Sequence, residues 1–138
     1  EFTLPNTLQA MTGYGFKNFK KVTELTIPGS IKDFSFSLQN SNIKKLTLSE
    51  GVESIQNSPV AYTPVEEIVL PSTLKTLGNA AFSGAKQLKS INLPEGVTFA
   101  DNAAGIFSEA SFLQPQNASC PITATLSGSV SSVSLSQT

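Results

Sequence analysis

Histidine, arginine and tryptophan are absent from these 138 residues, and cysteine and methionine occur once each. Without His there is no Ser–His or Cys–His couple and no imidazole metal ligand. Without Arg there is no bidentate clamp for phosphate, and nine Lys against ten acidic residues leave a net charge of −1 and no basic excess to hold a nucleic-acid backbone. No apolar run approaches the ~18 residues of a membrane span. Lone Cys120 cannot form an internal disulfide, so cysteine usage says little about redox compartment. Charged residues make up only 14% of the chain while Ser and Thr number 32, a balance that suits an extracellular bacterial protein better than a cytosolic enzyme. The first ten residues, EFTLPNTLQA, show neither an initiating Met nor a charged segment leading into an apolar one, so a mature form or an excised piece is expected. The 39% apolar residues, with nine Gly added, come close to the globular norm of about 45–50%, enough for one domain's core.

What is present is a repeat. The apolar-x-apolar triplets Phe2-Thr3-Leu4, Leu25-Thr26-Ile27, Leu46-Thr47-Leu48, Ile68-Val69-Leu70 and Ile91-Asn92-Leu93 start 23, 21, 22 and 23 residues apart. At this apolar fraction all ten outer positions would match by chance about once in 10,000. Val22, Ile43, Val65 and Leu88 precede the last four triplets by three residues, and Leu8, Ile31, Val52, Leu74 and Val97 follow each triplet's end by four. Pro comes directly after the triplet at Pro5, Pro28, Pro71 and Pro94, with Ser49 as the exception.

Each unit is too short to bury its own apolar side chains, so stability must come from stacking. Alternation within the triplet is strand-like, with the outer two residues inward and the middle one outward. Pro lacks a ladder donor and ends the strand. A constant period returns the chain in the same direction each time, which makes the sheet parallel and in need of cover on its inner face. Met11 to Phe16 and Leu77 to Phe82 share an apolar residue, a small-residue turn and a Phe five positions on, and Ile55 to Val60 keeps that spacing; the unit with Phe34 and Phe36 departs from it. Phe16 and Phe82 are read as packing wedges rather than ligand contacts.

The pattern resembles the BspA-like leucine-rich repeat, whose unit reads roughly L-x-x-L-x-L-P-x-x-L-x-x-I-G-x-x-A-F, and the stretch VEEIVLPSTLKTLGNAAFSGAKQLKSINLPEGV, Val65 to Val97, is close to that consensus. The resemblance covers about residues 1–113 and carries no catalytic motif. It implies a leucine-rich-repeat solenoid, α/β or mostly β, forming a short right-handed superhelix of about five 21–23-residue repeats with a parallel sheet on the concave face. It also implies a secreted or cell-surface bacterial protein, adhesin-like, that binds host matrix or bacterial surface proteins. Neither a cofactor nor an enzymatic activity is implied, and a monomer is expected. Residues 114–138 form the second expected unit: Ile122, Ala124 and Leu126, then Ser127-Gly128, then Val130, Val133 and Leu135 read as a β-hairpin that caps the last repeat or begins a further domain.

Chemistry-bearing candidates have plain alternatives. Glu66 and Glu67 are adjacent, so on a strand they point to opposite sides unless one sits at a bent strand entrance. A glycosidase pair needs carboxylates about 5 Å or about 6.5–9.5 Å apart, one with a raised pKa. Asp33 and Asp101 are isolated, Asn117-Ala-Ser119 is a three-residue glycosylation match, Cys120 has no basic neighbour, and Lys20-Lys21 and Lys44-Lys45 read as solvated pairs. A β-helix polysaccharide-active enzyme is the catalytic rival; the absence of Arg, the presence of only two Asp and a single clear strand-like triplet per unit count against it. A structural spacer presenting another domain is the other alternative.

Strands are predicted at about 2–4, 24–27, 45–48, 67–70 and 90–93, burying Val22, Leu25, Ile27, Ile43, Leu46, Leu48, Val65, Ile68, Leu70, Leu88, Ile91 and Leu93. Binding to a protein partner is assigned to the outward positions, one column reading Glu24, Lys45, Glu67, Ser90 and the next Thr26, Thr47, Val69, Asn92. Adjacent strands about 4.8 Å apart put Lys45 between two carboxylates.

Overall fold

The computed structural model describes residues 2–89, 91–99, 123–124 and 133–134. Two parallel four-stranded sheets run along the stack, offset by one turn. The first holds β1 (Phe2–Thr3), β2 (Glu24–Ile27), β4 (Lys45–Leu48) and β6 (Glu67–Val69) in that order. The second holds β3 (Asp33–Phe34), β5 (Ser54–Ile55), β7 (Thr76–Leu77) and β8 (Thr98–Phe99). No helix occurs among the described residues, so the solenoid is mostly β.

One turn of the coil is built the same way each time. The strand of the first sheet ends and the chain folds through an i to i+3 hydrogen bond, from Ile31 N–H to the Pro28 carbonyl at 3.0 Å, and equivalently at Leu8–Pro5, Val52–Ser49 and Leu74–Pro71. The unit lacking Pro keeps this turn. Ser49 N–H also donates to the Ile27 carbonyl at 2.9 Å, a ladder bond that Pro cannot make. The chain next enters the second sheet, then turns back at a corner marked by Phe16, Leu38, Val60 and Phe82, all buried.

Register along the first sheet pairs Phe2 with Leu25, Leu25 with Leu46 and Leu46 with Ile68. In the second sheet Phe34 pairs with Ile55 and Ile55 with Leu77, and Leu77 faces Phe99 in β8. These columns meet between the sheets as one core. The unit that departs from the five-residue spacing is explained by its length. It runs Phe34 to Leu38, one residue shorter, and Leu38 N–H bonds to the Pro59 carbonyl at 2.9 Å, which aligns Leu38 with Val60. Phe36, fully buried, packs on Phe34 and Phe16 with ring centroids 4.9 and 5.8 Å away.

Three expectations need correction. The sequence shows one clear strand-like triplet per unit, yet from the second unit on the covering half carries a strand of its own; that strand is two residues long, too short to print an alternation. Residues 91–93 are not a strand, although Lys89 N–H still reaches the Glu66 carbonyl at 3.1 Å. The ladder is already narrowing there, since β6 is three residues long where β2 and β4 have four. Of the twelve expected core residues, Val22, Leu70 and Leu93 are only half-buried, because each flanks the first or last full turn, where stacking covers one side less well. Within the expected tail hairpin, β9 (Thr123–Ala124) and β10 (Val133–Ser134) pair antiparallel. The rest of residues 114–138, and the cap assigned to them, lie outside the described residues.

Candidate functional site

The outward face of the first sheet begins with a bend. At the entrance to β4 and β6 one carbonyl accepts two successive N–H groups: Thr23 O takes Lys44 and Lys45 at 2.7 and 3.1 Å, and Lys44 O takes Glu66 and Glu67 at 2.8 and 3.2 Å. The bend cancels the alternation that would send neighbours to opposite faces, so both members of each pair reach solvent on the same side. This settles the placement of Glu66 and Glu67. Glu24, Lys44, Lys45, Glu66, Glu67 and Lys89 together line an open depression of about 570 Å³.

On this face the two predicted columns are in register as far as β6: Glu24 beside Lys45 beside Glu67, and Thr26 beside Thr47 beside Val69. Lys45 Nζ lies 3.1 Å from a Glu67 carboxylate oxygen, and Lys89 Nζ donates to Glu66 Oε2 at 2.5 Å. Both pairs are solvent-exposed, so each contributes little to stability. The Lys89 hydrogen bond and charge hold the Glu66 carboxyl below the ordinary carboxylate range. A general acid needs the opposite shift, so this environment does not suit Glu66 to that role.

Beyond the charges the strip is neutral, with one exposed apolar side chain. Val69 is 41% exposed on β6, the last strand of the sheet, and a second depression of about 360 Å³ runs beside it between β6 and Ile91–Asn92. Asn92 is exposed but lies outside any strand, and Ser90 lies outside the described residues. Among the described residues no helix is long and apolar enough to cross a membrane.

Residues 1–114 match the BspA type leucine rich repeat region in six copies, one more than the five units counted from the triplets. The chain belongs to that family. No curated protein and no solved structure matches it. BspA-type leucine-rich repeats are generally non-catalytic interaction modules, and their proteins are typically surface-exposed or secreted. The match also removes the β-helix enzyme as a fold, even though the second sheet undoes one of the grounds on which it was set aside.

Four features of this BspA-type chain escaped the sequence reading. Lys44, Glu66 and Lys89 join the strip, which only the entrance bend reveals. On the second sheet Glu53 lies between Lys32 and Lys75, at 4.0 and 2.7 Å, and Ser54 Oγ donates to Asp33 Oδ1 at 2.5 Å. A column of left-handed residues, Asn18, Asn40, Tyr62 and Gly84 with φ of 67°, 59°, 54° and 70°, recurs every 22 residues two positions past the corner side chains. The exposed Tyr14 and Tyr62 each carry a Lys over the ring, Lys17 at 4.7 Å and Lys86 at 5.7 Å. Asp101, Asn117, Ser119 and Cys120 lie outside the described residues.

Proposed function

We propose that this chain is an adhesin-like protein-binding module of the cell surface or extracellular space, without catalytic activity, whose contact strip comprises Glu24, Thr26, Lys45, Thr47, Glu67, Val69, Ser90 and Asn92. The observation that carries the reading is Val69, an apolar side chain left exposed between polar neighbours, as in the apolar centre and polar rim of a protein interface. Host matrix or bacterial surface proteins are the partner class that fits a surface-exposed repeat module. The alternative role, a spacer holding another domain outward, draws support from the Lys45–Glu67 and Lys89–Glu66 pairs, which satisfy each other without a ligand.

The test is a titration of the chain against purified matrix and bacterial surface proteins, repeated with Lys45→Glu and Val69→Asp. Lys45→Glu sets three carboxylates in a row with Glu24 and Glu67. A ligand held by this strip loses about tenfold or more in affinity with each change, while the melting temperature hardly moves. Affinity that survives both substitutions removes the strip as the site, and the absence of any ligand leaves the spacer.

A further inference from the structure

The charges on the outward face follow an order that is its own complement. Moving along the stack, β2 presents Glu24, the next turn presents Lys44 and Lys45, the next Glu66 and Glu67, and the last Lys89, all around one depression. The sequence of signs is minus, plus, minus, plus, and reversing it exchanges every sign. A two-fold axis parallel to the strands and passing between β4 and β6 would set a second copy face to face with its stack reversed. Lys44 then meets Glu66 of the other copy, Lys45 meets Glu67, Glu24 meets the turn of Lys89, and each contact occurs twice, as an isologous interface requires. Thr47 meets Val69 at the centre. No like charges come together. The other face-to-face arrangement, with stacks parallel, places each turn opposite itself and opposes like charges throughout.

We infer that the partner this face is built to accept is a second copy of the same chain, in that antiparallel arrangement. The inference rests on the reading of this strip as a protein-binding surface, and names its occupant. Four turns about 4.8 Å apart span only about 14 Å, too short a distance for curvature of the stack to hide the patch. The same dimension limits its strength. A face four strands wide and four residues long offers well under the roughly 800 Å² per partner of a stable complex. The association is therefore weak, near millimolar, and sensitive to salt, as suits contacts multiplied on a crowded surface rather than a permanent dimer.

The experiment is sedimentation equilibrium of the 14.6 kDa chain in reductant, from micromolar to about 1 mM protein, at low and at about 0.5 M salt. At low salt the weight-average mass rises by about 1.5-fold near 1 mM and the rise disappears at high salt. Lys45→Glu and Glu67→Lys, each of which creates two like-charge contacts, stay monomeric alone. An equimolar mixture of the two recovers the rise, because the carboxylate introduced at position 45 of one variant faces the ammonium introduced at position 67 of the other. The exchange Lys45→Glu/Glu67→Lys restores a self-complementary order and associates as the unaltered chain does. A mass that never rises, single variants that associate undiminished, or a mixture that stays monomeric overturns the inference. The exchanged variant also separates this inference from the broader one. It keeps self-association but presents a foreign protein with inverted charges, so a matrix ligand would be lost while the dimer is retained.

Discussion

Gly29 lies against Glu50 of the next turn with no room for a side chain: a Cβ on Gly29 would overlap the Glu50 carbonyl oxygen, and one on Gly51 would sit 2.5 Å from the Gly29 carbonyl oxygen. Backbone on both sides leaves no flexible group to yield. Gly29→Ala is therefore expected to destabilise by about 1–3 kcal/mol through overpacking, against the gain of about 0.4–1 kcal/mol that such a change brings where the backbone tolerates it. Urea denaturation measures the difference. A neutral or stabilised variant would mean that adjacent turns slide apart at little cost.

Ile68 and Val69 are neighbours with opposite fates. Ile68 is 7% exposed and pairs in register with Leu46, whereas Val69 faces solvent. Ile68→Ala should cost about 2–5 kcal/mol, and Val69→Ala should stay within about 0.5 kcal/mol as a surface change. Equal losses at the two positions, or a cost below about 1 kcal/mol at Ile68, would mean that the register of β6 is shifted by one residue.

The first sheet was legible in the sequence because its strands are long enough to show alternation and its period is nearly constant. Leu25, Leu46 and Ile68 declare themselves by type and spacing alone. The second sheet was not, since a two-residue strand such as Thr76–Leu77 buries one side chain and looks like any apolar residue in a turn. The proposed contact strip was half legible. The columns of Lys45 and Val69 follow from the register, but Lys44, Glu66 and Lys89 join them only through a carbonyl that accepts two N–H groups, and such a bend requires no particular residue. The left-handed column left no trace for the same reason: Asn, Asn, Tyr and Gly share a backbone angle and little else.

Three carboxylates make stability depend on acid. Glu50 accepts the Ser72 N–H at 2.9 Å and the Ser72 hydroxyl at 2.8 Å, and the backbone bond is the main cause of its lowered pKa. Glu53 is lowered chiefly by the Lys75 hydrogen bond and Glu66 by that of Lys89. A carboxyl with a folded pKa below its unfolded value stabilises the fold above the unfolded pKa, here near 4.5, and loses that contribution as pH falls through the folded value. The melting temperature should hold steady at neutral pH and decline once pH drops below about 4.5. Because all three sites are on the surface the decline should be shallow, and Glu50→Gln should flatten it further. A melting temperature that rises on acidification would contradict the three assignments together.

Tyr62 occupies a backbone position better suited to other residues. Its φ is 54°, in line with Asn18, Asn40 and Gly84 one turn apart, and its ring is 60% exposed with Lys86 Nζ 5.7 Å from the centroid. A left-handed conformation costs an ordinary L-residue roughly 1–2 kcal/mol, a cost that Asn lowers and Gly avoids. The Lys86 contact returns only about 0.5 kcal/mol at such an exposed site. Tyr62→Asn should thus raise stability by about 0.5 kcal/mol, although it removes a large side chain. Tyr62→Ala loses the same ring while keeping the unfavourable φ, and should be less stable than the Asn variant by about 0.5–1 kcal/mol. Thermal melts of the two variants beside the unaltered chain decide the matter. If Asn and Ala are equally destabilising, the ring itself supports the corner, and the left-handed backbone is incidental to its stability.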